Sequence, residues 1–113
     1  MTERSDPGPL ELPRTWTLEE ANDALGEVSE RVSAAMTAWQ LGERDSVAVI
    51  ARELAERGVV LRDVDRGLID FVGIAPSGRP YFLCWMWGEP EIDTWHWPDD
   101  GFAGRTPVTR PPD

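Results

Sequence analysis

Apolar residues recur at alternating steps of three and four through Leu18, Ala21, Leu25, Val28, Val32, Ala35 and Trp39. That spacing predicts a helix of about six turns with one narrow apolar stripe. A start signal stands just before it, because Thr17 and Glu20 fit a capping box, with Trp16 ahead of the cap and Ala21 at the staple position. Gly42 stops this helix, and Asp45 or Ser46 can cap a second over about 46–57, where Val47, Ile50, Ala51 and Leu54 share a face before Gly58. On the wet faces Glu27 and Arg31, and Glu53 and Arg57, stand at i,i+4 spacing. A connection of about four residues folds the two helices back on each other.

From Val59 the period shortens to strand-like runs: VVL, LIDFV at 68–72, YFLCWMW at 81–87 and EIDTWHW at 91–97. DVDRG, APSGR and GEP supply the turns. Short consecutive strands with short turns pair antiparallel. The predicted fold class is α+β: an N-terminal antiparallel helical hairpin followed by a small antiparallel β-meander. Residues 1–14 and 108–113 are rich in proline and charge, and predict a flexible N-terminal arm and a C-terminal tail around one domain over 15–107.

The run YFLCWMW is apolar on both faces, so both want cover. Tyr81, Leu83, Trp85 and Trp87 point one way, and Phe82, Cys84 and Met86 the other. Two helices cover one face. The second is left to the GFAGR segment at 101–105, to another subunit or to a ligand. A tight turn at 88–91 sets Trp85 opposite Thr94, Cys84 opposite Trp95 and Leu83 opposite His96, with Cys84 and His96 on different faces. A bulge at Pro90 would move the register by one residue and reverse the faces.

Composition narrows the partners. The chain has 113 residues, with 11 basic groups, all Arg, against 21 acidic ones; a net charge of −10 repels phosphate backbones and anionic lipid. Neither nucleic acid nor a membrane surface is expected as a partner. No apolar run approaches the roughly 20 residues of a membrane-spanning helix, and MTERSDPGPLELPR has no basic-then-apolar leader pattern. With Cys84 as the single cysteine, the reading is a cytoplasmic protein of a reducing compartment.

Candidate chemistry concentrates in 81–105, which holds four of the six Trp residues with the single Cys and the single His. His96 is the one neutral-pH proton carrier, and an orienting carboxylate is available from Asp70, Glu89, Glu91 or other nearby acids. Asp70 interrupts an apolar strand. It either faces water or is buried against a partner such as Arg66, Arg105 or His96. DDGFAGR lacks the Lys and Ser/Thr of a phosphate loop and the alternating acids of a calcium loop, while Arg105 at its end can clamp a carboxylate. The ligand-binding set is therefore His96, Asp70, Glu89, Arg105, Trp85 and Trp95. No organic cofactor is implied, and a divalent metal, if bound, falls to His96 with Asp70, Glu89 or Glu91. Cys84 reads as a small buried thiol.

DVDRGLIDF, the LCW of Leu83 to Trp85, GEPEI, the pair Trp95–His96, and GFAGR followed by Pro107 resemble a bacterial family, domain of unknown function 2203. TLEEAN at the first helix fits its usual beginning, so the resemblance spans about 15–107. It implies no activity and no catalytic residues. On the residues alone, the leading expectation is a non-catalytic module that binds a small ligand or a protein through an aromatic sheet face. A metal-dependent hydrolase or other enzyme centred on His96, and a structural homodimer, are the alternatives.

Overall fold

The computed structural model describes residues 14–113, the side chain of Phe102 excepted, so residues 1–13 of the expected arm lie outside the described residues. The order is two helices, then five strands: α1 Leu18–Gln40, α2 Arg44–Glu56, β1 Val59–Asp63, β2 Leu68–Ile74, β3 Pro80–Met86, β4 Thr94–His96 and β5 Thr106–Pro107. The strands form one antiparallel sheet in chain order. The architecture is α+β, a helical hairpin followed by a β-meander.

Helix α1 starts where its cap predicts: Thr17 Oγ1 accepts from Glu20 N at 3.1 Å, and the Glu20 carboxylate accepts from Thr17 N at 3.0 Å. Its stripe runs through Ala21, Leu25, Val28, Val32 and Ala35 but finishes on Ala38, leaving Trp39 exposed. Helix α2 begins earlier than its candidate caps, at Arg44, so Asp45 and Ser46 lie inside its first turn. The expected i,i+4 ion pairs are replaced by two that cross between the helices: Arg31 with Glu53, and Arg57 with Glu27 at 3.3 Å. All four side chains are well exposed, so these pairs align the hairpin more than they stabilise it.

The helices pack on one sheet face, where Val59, Ile69, Phe71, Leu83, Trp85 and Trp95 join the helical stripe in a single core. Gly58 makes the passage from α2 to β1 with φ of 78°, and a Cβ there would stand 2.0 Å from the carbonyl oxygen of Arg14. A side chain is excluded at that position both by backbone conformation and by space.

Residues 108–113, expected as a free tail, instead lie along the sheet. Val108 packs against the core and donates its N–H to Asp93 O at 2.9 Å; the indole of Trp95 donates to Arg110 O at 2.9 Å, and Ser77 N to Asp113 O at 3.0 Å. A buried indole donor needs an acceptor, and this segment provides it. Truncation after Pro107 should therefore cost about 1–3 kcal/mol, the penalty for stranding a buried donor. Urea unfolding of the truncated chain checks this; an unchanged midpoint would show that the segment carries no stability.

Candidate functional site

Strand pairing decides which side chains meet on the face away from the helices. Asp70 pairs with Cys84 across β2 and β3, and Phe82 with His96 and Cys84 with Thr94 across β3 and β4. This is one residue away from the simple hairpin register, and it puts Cys84 and His96 on the same face rather than opposite faces. The cause is local. Residues 87–93 form a wide loop: the Glu89 carboxylate accepts the Met86 N–H at 2.9 Å, the Trp85 indole donates to Glu89 O at 2.9 Å, and Glu89 N donates to Met86 O at 3.0 Å. With its N–H so taken, Met86 has no ladder partner in β4. Asn22 of α1 then pins the loop by accepting from Ile92 N at 2.8 Å and donating to Ile92 O at 3.3 Å, which seats Ile92 in the core.

On this outer face Asp70, Cys84 and His96 are exposed by only 2%, 1% and 4%. Their ligand atoms, a carboxylate oxygen, the thiol sulfur and an imidazole nitrogen, all lie within 4.8 Å of one another. His96 Nδ1 is 2.8 Å from Trp97 O, and a carbonyl can only accept, so Nδ1 carries a proton. Nε2 then faces both carboxylate oxygens of Asp70 at 3.2 Å. Two acceptors at that distance repel unless a positive species, a second ring proton or a cation, lies between them. Arg62 reinforces the carboxylate from one side, with Nε donating to Oδ2 at 2.8 Å. Arg66 donates from Nε to Asp63 at 3.0 Å, and Arg105 from Nη2 to Glu89 at 2.9 Å.

Val60 pairs with Asp70, so Arg62, two residues on, shares its face, and a bulge between Leu61 and Asp63 leaves Arg62 without a ladder partner on β2. Its guanidinium also lies over the Phe82 ring, 4.7 Å from the centroid. A cavity of about 230 Å³ opens over the group, walled by Arg62, Leu68, Pro98 and Gly101. Glycine-containing 101–105 thus contributes to covering this face, as one of the sequence alternatives had it.

The predicted set divides in two. His96 and Asp70 come together, and Cys84, read from the sequence as inert, joins them. Glu89 and Arg105 form a neighbouring ion pair, with Nη2 2.9 Å from each carboxylate oxygen and Arg105 Nε donating to Thr94 Oγ1 at 2.8 Å. Glu91 is exposed on the loop and outside the group. Trp85 and Trp95 belong to the core on the opposite face, where the helices pack against them. Arg62 was missed, since the sequence does not say which residue of VVLRD pairs with Asp70.

The model of a family described as uncharacterized conserved protein (DUF2203) matches residues 39–108, more than half of the chain. The chain belongs to that family. The DUF2203 match takes in β1 through β5 and hence Arg62, Asp70, Cys84 and His96 together. No curated protein and no solved structure matches this DUF2203 chain. No helix among the described residues is long and apolar enough to cross a membrane.

Burial, followed by the nearby Asp70 charge, pushes the Cys84 thiol up from its ordinary 9.0 to about 12, with Arg105 opposing in part. Without a metal the thiol is thus protonated and unreactive. Metal-free protein should resist iodoacetamide at pH 8 and react readily once unfolded in urea. Its stability should also fall as pH rises above 9, where the unfolded thiol ionises and the folded one does not until about 12. Native-state labelling as fast as in urea would place the thiol in solvent.

Proposed function

We propose that this chain is a small metal-binding module in which Asp70, Cys84 and His96 hold one divalent cation of the zinc class. The observation that carries the reading is the confrontation of His96 Nε2 with both Asp70 oxygens at 3.2 Å, given an Nδ1 already committed to Trp97 O. Two ligands about 2.0–2.1 Å from a tetrahedral ion stand roughly 3.3 Å apart, which matches that separation. The bond from Nδ1–H to a backbone carbonyl is the outer-shell arrangement that orients a ligating imidazole. Cys84 completes a nitrogen, sulfur and oxygen donor set suited to zinc, and a bound cation offsets the cost of its thiolate.

Three protein ligands beneath an open cavity leave a fourth position for something from solution. This supports small-ligand binding over a purely structural role. The hydrolase alternative shares the open position but has no base among the described residues of the cavity wall, which apart from the three ligands are Arg62, Leu68, Pro98 and Gly101.

Cobalt substitution tests the reading directly. Untagged protein loaded with Co(II) should bind about one ion per chain and develop a thiolate-to-metal charge-transfer band. Cys84→Ser should abolish the band, and His96→Ala or Asp70→Asn should weaken binding by at least about 100-fold, the upper end of what even losing an outer-shell partner costs. Absence of the band in the wild-type chain, or Co(II) affinity unchanged by all three substitutions, would overturn the proposal.

A further inference from the structure

Resting on the metal reading above, we infer that the open position takes a small anion with paired oxygens, a carboxylate or a phosphate group, clamped by Arg62. The charge balance comes first. A divalent cation, one thiolate, one carboxylate and a neutral imidazole sum to zero, so the ligand set together with Arg62 carries one positive charge, with Asp99 and Asp100 on the loop beside the wall opposing it. In a chain of net charge −10 that is a local exception, and it favours an anion over a neutral or cationic ligand.

Geometry supplies the second argument. Arg62 is fastened at two points, by Nε to Asp70 Oδ2 at 2.8 Å and by its stacking on Phe82. Its terminal nitrogens Nη1 and Nη2 have no partner among the described residues, while 42% of the side chain remains exposed. A guanidinium oriented by its inner edge and open at its outer edge presents a fork that matches paired oxygens. Arg105 is different, since Glu89 already occupies its Nη2.

Size sets the upper limit. The cavity of about 230 Å³ lies below the roughly 300–1,000 Å³ of pockets that enclose drug-sized molecules. A short-chain carboxylate or a phosphate fits where a nucleotide does not. Leu68 and Pro98 on the wall give an apolar flank for a few carbons.

The Co(II)-loaded full chain is the reagent for the test, with acetate, inorganic phosphate and neutral acetamide as probes at constant ionic strength. Acetate or phosphate should shift the cobalt d–d bands saturably, acetamide should not, and whichever of the two anions binds at least tenfold tighter identifies the class. At Co(II) concentrations that saturate each variant, as the charge-transfer band reports, Arg62→Gln should lose at least tenfold in anion affinity, and Arg62→Lys should keep an intermediate response, as a charge without a fork does. A loaded wild-type centre without an anion response, an equal response to acetamide, or an Arg62→Gln chain that binds anions as before would overturn the inference alone. No charge-transfer band at all would sink the metal reading and this inference with it.

Discussion

A carboxylate withdrawn from water costs several kcal/mol unless its oxygens are paired, and Asp70 sits at the middle of the sheet with 2% exposure. Much of the outer face is arranged around that demand. Arg62 of β1 reaches Oδ2, the β3–β4 register brings His96 to both oxygens, and Trp97 O fixes the ring that faces them. Moving β4 by a single residue would carry His96 to the helical face and leave Asp70 with Arg62 alone. The loop that sets this register is held by Asn22, so α1 reaches through Ile92 to the far side of the sheet.

The two faces of β3 use their apolar residues differently. On the helical side the tryptophans serve as staples: Trp16 donates to Arg57 O, Trp85 to Glu89 O and Trp95 to Arg110 O, each at 2.9 Å. Each indole fills core volume with its ring and fastens an irregular segment with its N–H. Trp85 and Trp95 are thus accounted for by packing, while Trp87, just past the end of β3, stays 45% exposed. On the outer side the smaller Cys84 and the intruding Asp70 leave room for chemistry.

Helix α1, the four longer strands and their antiparallel order were legible because periodicity and turn chemistry are local signals. Thr17 and Glu20 located a helix start to the residue, whereas Glu43, at the start of α2, offers no side-chain cap to read. Ion pairing was misassigned because i,i+4 spacing says nothing of a second helix, and Arg31 and Arg57 found closer carboxylates across the hairpin. Asp70 and His96 were recognisable as unusual from the sequence. Their union with Cys84 was left open as the alternative in which a bulge at Pro90 shifts the register by one, because it hangs on whether Glu89 turns back to take the Met86 N–H. β5 escaped notice for a related reason: two residues containing a proline carry no strand pattern, and only the edge of β4 makes them one.

That last strand has a consequence for the behaviour of the molecule in a crowded solution. An open sheet edge is a template on which other chains can polymerise. Here the edge ends in a strand of two residues, one of them Pro107, after which the chain makes a turn closed by the bond from Arg110 N to Pro107 O. Proline has no N–H to offer a newcomer, and two residues give too short a ladder to register one. The wide-open fibre-forming side that a meander would otherwise present is blunted at the point where the sheet runs out.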